Sequence, residues 1–104
     1  ECVHEGHFPL EQLVRKFCHA PAIRFDIAGR GFLREGYHAD LTLIDPAGGT
    51  EVTRGRVLSK CGWSPFEGVR FRSRVAATFV NGELAFDGET LLGAPQGRRL
   101  EFAR

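Results

Sequence analysis

The chain has 104 residues, 42% hydrophobic and 26% charged, which suits one globular domain at most with an adequate but not generous core. A net charge of +1 gives no electrostatic ground for a nucleic-acid or anionic-membrane partner. No apolar run approaches the roughly 20 residues of a membrane span, and no basic-then-apolar signal opens the chain. Cys2, Cys18 and Cys61 are odd in number and widely spaced, and read as reduced thiols of a cytosolic protein. Methionine is absent, so a processed or excised fragment is expected, with an expression boundary as the alternative.

Glu1 to Glu5 reads as a helix end stopped by Gly6. Pro9 occupies a first helical position and Glu11 lies in the first turn, near the positive end of the dipole. Leu10, Leu13, Val14 and Phe17 follow the i, i+3, i+4, i+7 spacing of one buried stripe, with Arg15 and Lys16 toward the negative end. Pro21 is expected to interrupt this helix, and Ala22 to Ile27 to form a short second one ending at Gly29. Gly29, Gly31 and Gly36 then make a loop able to take positive φ. A strand follows, with Leu41 and Leu43 on one face and Asp40, Thr42 and Ile44 on the other.

Pro46 to Gly49 is a turn, and short strands are expected over 50–53 and 57–59. Gly62, Pro65 and Gly68 punctuate a loop around Trp63. The longest strand is predicted over 70–80, with Val75, Ala77 and Phe79 on one face and Arg70, Arg72 and Arg74 in a row of their own. Asn81-Gly82 signals a hairpin, because both central residues of a type I′ turn need positive φ. Residues 83–86 return, Asp87-Gly88 turns again, and a loosely held tail ends in a last short strand at Leu100 and Phe102. There is no internal repeat and no low-complexity segment.

Chemistry-bearing motifs are sparse. Cys2, His4 and His7 are the only metal-like cluster, and Gly6 breaks the helix that would align them, so they read as polar residues at a frayed terminus. Cys18 and His19 are adjacent and do not face each other on a helix. Cys18 and Cys61 are both expected to be small buried or half-buried side chains. Gly29-Arg30-Gly31 has Arg34 where a dinucleotide fingerprint needs its third glycine, and no strand precedes it. The arginine row interleaved with Phe71 fits a single-strand binding face or, equally in pattern, a solvated outer strand that deters aggregation. The low net charge favours the solvated strand. Trp63 reads as a packing anchor rather than a ligand platform.

Two stretches carry a resemblance. Gly36-Tyr37-His38-Ala39-Asp40-Leu41-Thr42-Leu43-Ile44-Asp45 resembles the strand by which amidohydrolase-superfamily enzymes leave the catalytic barrel and enter a small β-domain. Lys60-Cys61-Gly62-Trp63-Ser64-Pro65-Phe66-Glu67-Gly68, followed by Thr78-Phe79-Val80-Asn81-Gly82, is similar to the C-terminal region of dihydroorotases, over allantoinases or dihydropyrimidinases. The resemblance runs from about Phe8 to Gly88; Ala20-Pro21-Ala22 stands where the family has Asn-Pro-Ala.

The resemblance implies an α+β fragment. Residues 1–29 would be terminal helices of a TIM-type barrel, residues 30–92 strands of a mainly antiparallel, composite β-sandwich domain, and residues 93–104 a tail. The intact enzyme would interconvert N-carbamoyl-aspartate and dihydroorotate in pyrimidine synthesis, with a divalent metal, zinc in most members, activating water and an aspartate shuttling the proton. The four histidines form no His-x-His pair and the only lysines are Lys16 and Lys60, so no catalytic, cofactor-binding or metal residue is assigned here. The chain would be structural and inactive alone, with no cofactor of its own. Its partners would be the barrel and β-strands of the same cytoplasmic, homo-oligomeric enzyme, where N-terminal strands pair with C-terminal ones. Nucleic acid and membrane are not expected partners. The alternatives are the same segment of an allantoinase or hydantoinase, or a stand-alone β binding or assembly module.

Overall fold

The computed structural model describes residues 1–103, a helical rod followed by two small antiparallel sheets. The rod has three consecutive parts: α1 (Leu10–Val14), a π-helical turn (Arg15–His19) and α2 (Ala20–Arg24). Pro21 therefore does not divide it into two helices. Its ring would collide with the carbonyl four residues back, and a widened turn directly ahead of it relieves that clash while the axis continues.

The rod stops at Arg24, short of Gly29, because Asp26 takes φ +53°. Ile27 N–H then donates to Ala22 O at 2.9 Å and Asp26 N–H to Ile23 O at 3.3 Å, the paired closure of a Schellman motif. The same closure ends the opening segment. His7 N–H donates to Cys2 O at 3.0 Å and Gly6 N–H to Val3 O at 3.1 Å, with Gly6 at φ +75°. The stop at Gly6 is as expected, although Glu1 to Glu5 is a run of turns rather than a helix.

Strands β1 (Leu41–Asp45), β4 (Arg74–Val80) and β5 (Glu83–Phe86) form a sheet in the order β1-β4-β5; β2 (Thr50–Glu51) and β3 (Arg70–Phe71) pair separately. The predicted 70–80 strand is thus two strands. The chain bends at Arg72 and Ser73, where Thr50 Oγ1 donates to Ser73 O at 2.9 Å. Arg70 and Arg74 consequently sit in different sheets and share no common face with Arg72. Ala76 is an extra residue opposite the step from Leu43 to Ile44, so the expected alternation of Val75 with Ala77 and Phe79 is broken there. Residues 57–59 form no strand; a 3-10 turn (Arg54–Arg56) leads into an irregular loop. The Asn81-Gly82 hairpin has the expected geometry, with φ +50° and +85°. The tail is pinned at its far end: Ala28 N–H donates to Glu101 O and Ala103 N–H to Asp26 O, each at 2.8 Å.

Little of this is core. Ala22 is the one buried apolar side chain among the described residues. The accessible surface is 8285 Å², against about 5,800 Å² for a compact monomer of this mass. The radius of gyration is 15.4 Å, against about 13 Å for a compact chain of this length. The stripe expected to be buried is open, with Phe17 74% exposed and Leu10 and Val14 also exposed. Its spacing is helical as predicted; no element among the described residues packs over it.

Candidate functional site

One corner of the molecule is internally complete. Arg30, held between two glycines, ion-pairs with Asp40 and donates from Nη2 to Asn81 Oδ1 at 3.3 Å, its side chain only 13% exposed. Asp40 Oδ1 accepts the Asn81 N–H at 2.8 Å, and Asn81 Nδ2 donates to Gln96 O at 2.6 Å. Four distant segments meet there: the glycine loop, the start of β1, the hairpin turn and the tail. Gly31 brings the loop onto the rod. With φ +79°, it lies so close that a Cβ would fall 2.4 Å from Ala22 Cβ and 2.7 Å from Cys18 O. Beside it His19 stacks on Phe32 with ring centroids 4.3 Å apart, and the Arg34 guanidinium lies over the Phe32 ring, 4.3 Å from its centroid.

The arginines of the bent strand are exposed and neutralised. Arg70 pairs with Glu51 at 3.1 Å, Arg74 with Asp45 at 3.4 Å, and Arg72 Nε donates to Glu1 Oε1 at 2.8 Å. That hydrogen bond holds the Glu1 carboxyl below its usual range. The Cys61 thiol is exposed, contrary to expectation. Its pKa is lowered, first by Ser59 Oγ at 3.1 Å and then by the Trp63 carbonyl at 3.5 Å. Cys18 is exposed too, on the uncovered rod. Trp63, Phe66 and Leu58 all present apolar surface from the same loop region. A groove of about 630 Å³ lies between the bend and the turn after β5, with Ile44, Leu58, Phe71, Val75, Phe86 and Leu91 in its wall.

Among the described residues no three His, Cys, Asp or Glu side chains converge as a metal site. His7 bonds instead to Glu5 at 3.0 Å. No chemical step is assigned to the described residues. No helix among the described residues is long and apolar enough to cross a membrane. The Arg30–Asp40–Asn81 cluster escaped sequence reading because its members lie up to 51 positions apart; the local signal was an arginine flanked by glycines.

No profile of a known protein family matches the chain. Individual relatives do. It is 30% identical over 100 residues to the dihydroorotase of Pyrococcus furiosus, covering 96% of this chain and 24% of that protein. It is 35% identical over 98 residues to the allantoinase of Rubrobacter xylanophilus, covering 94% and 22%. The solved L-hydantoinase (dihydropyrimidinase) of Arthrobacter aurescens superposes with a TM-score of 0.75 at 32% identity, over 88% of this chain and 20% of that one. The chain spans about a quarter of the length of the curated relatives it matches. Over nearly all its length, by sequence and by fold, its homologues are segments of cyclic amidohydrolases of the amidohydrolase superfamily: dihydroorotases, an allantoinase and a hydantoinase.

Proposed function

We propose that the chain is the C-terminal scaffold segment of a metal-dependent dihydroorotase. The rod closes a TIM-type barrel, and β1 to β5 supply part of a composite β-domain. The observation that carries this reading is the surface. The chain exposes about 2,500 Å² more than a compact monomer of its mass, and much of that is large apolar side chains on the rod and the Trp63 loop. A surplus of that size is what an obligate interface covers.

Catalysis would belong to the rest of the enzyme, where a divalent metal, zinc by the family's habit, would activate water for attack on the ring amide of dihydroorotate. The reverse cyclisation of N-carbamoyl-aspartate is the pyrimidine-forming direction. Within this chain the Arg30–Asp40–Asn81 lock fixes the angle at which the glycine loop leaves the rod. Three free thiols support a reducing, cytoplasmic setting. A second reading, the same segment of an allantoinase, rests on the 35% identity to the Rubrobacter protein over 98 residues.

The test is direct. The purified chain, with and without added zinc, should turn over neither dihydroorotate, allantoin nor a substituted hydantoin, and should bind a hydrophobic dye. The longer polypeptide carrying this segment should hydrolyse dihydroorotate preferentially. Turnover by the chain alone overturns the scaffold reading; preference for allantoin by the longer polypeptide overturns the choice of dihydroorotase.

A further inference from the structure

The tail, residues 93–103, crosses the joint at which the rod hands over to the sheet. That joint is a closed excursion of the chain: the His38 N–H donates to Gly29 O at 2.9 Å, and the Gly82 N–H to Ala39 O at 3.0 Å. The tail leaves the sheet where the Leu92 N–H donates to Ala85 O at 2.8 Å. It reaches the exit of the rod where Phe102 bridges to Ile27, between the two backbone hydrogen bonds that tie Glu101 to Ala28 and Ala103 to Asp26. Between those anchors, residues 93–100 make a single hydrogen bond among the described residues, from Asn81 Nδ2 to Gln96 O at 2.6 Å.

Asn81 therefore holds both sides of the joint. Its Oδ1 accepts from Arg30 Nη2 in the glycine loop at 3.3 Å, while its Nδ2 donates to the tail. The guanidinium can only donate and the Gln96 carbonyl can only accept, so a carboxamide is the group that fits between them. A type I′ turn makes no such demand, because asparagine, aspartate and glycine all serve at its first central position. We infer that residues 93–103 are a strap across the joint between rod and sheet, and that Asn81 is the pin that keeps it closed. The strap needs nothing outside this chain, so it stands or falls independently of the scaffold reading.

Trypsin reads the strap directly, because Arg98 and Arg99 lie between the pin and the far anchor. In the purified chain, Asn81→Gly and Asn81→Asp each leave a residue that suits the turn, and each removes the donor to Gln96. Both are expected to speed cleavage after Arg98 or Arg99 by about 5-fold, as the open strap gains the population that one hydrogen bond denied it. Cleavage after Lys60, in the Trp63 loop, should keep its rate, and so should amide exchange along β4 and β5. An unchanged rate after Arg98 and Arg99 in either variant overturns the strap. Exchange across the hairpin that accelerates as much as the cleavage overturns the pin and leaves Asn81 a turn residue.

Discussion

The Arg30 corner and the helical rod are neighbours that differ in what completes them. At the corner, four segments satisfy one another's polar groups within the chain. Along the rod the backbone closes its own C-terminal end, yet Leu10, Val14, Phe17 and Ile23 are exposed. Polar closure can be finished locally because a hydrogen bond needs only one partner atom. Apolar closure needs area, and the rod's stripe finds none among the described residues.

That difference can be broken first at Gly31, where the two regions touch. In a chimera of the Pyrococcus furiosus dihydroorotase that carries this chain in place of the matching segment, Gly31→Ala forces a methyl into Ala22 and Cys18 at a positive φ, and is expected to cost about 4 kcal/mol, read as the loss of denaturant midpoint. Phe17→Ala sharpens the comparison by its context: about 3 kcal/mol in the chimera, but nothing measurable in helicity or solubility for the worse in the chain alone, where the ring is 74% exposed. Equal small effects in both proteins would mean that the stripe is a solvent face. Arg30→Ala is expected to cost about 2 kcal/mol, below the figure for a fully buried pair because the Asp40 side chain remains 34% exposed. It should do so in any context in which the corner is formed. Gly82→Ala, at φ +85° in the hairpin, should cost about 1 kcal/mol.

The smallest effect is one of pH. Asp87 Oδ1 accepts the N–H groups of Thr90 at 2.8 Å and Glu89 at 2.9 Å, which hold its carboxyl below the ordinary range. A group whose folded pKa is depressed contributes above its unfolded value and loses that contribution as pH falls through the folded one. The contribution should thus be intact at neutral pH and fade from about pH 4 downward. Asp87→Asn should flatten that acid limb of the stability curve, and an unchanged acid limb would remove Asp87 from the account.

What could be read from the sequence was what is local. The β1 strand, the Asn81-Gly82 turn and the stop at Gly6 are each fixed by a few adjacent residues, and each is where it was expected. The single 70–80 strand failed because the bend at Ser73 depends on Thr50, 23 positions away. The helix break at Pro21 failed because proline excludes a regular α turn and not a wider one. Burial of the stripe failed because no element among the described residues packs over it. Periodicity tells which side chains share a face, and says nothing about whether the covering element lies in the same stretch of chain.

Calorimetry of the purified chain alone tests the central claim most directly. A segment whose apolar face is completed elsewhere should show a broad, weak or concentration-dependent transition, restored to a cooperative one in the chimera. A monomer unfolding in a single sharp transition, with an enthalpy near the roughly 70 kcal/mol usual for a self-sufficient domain of this length, would contradict it.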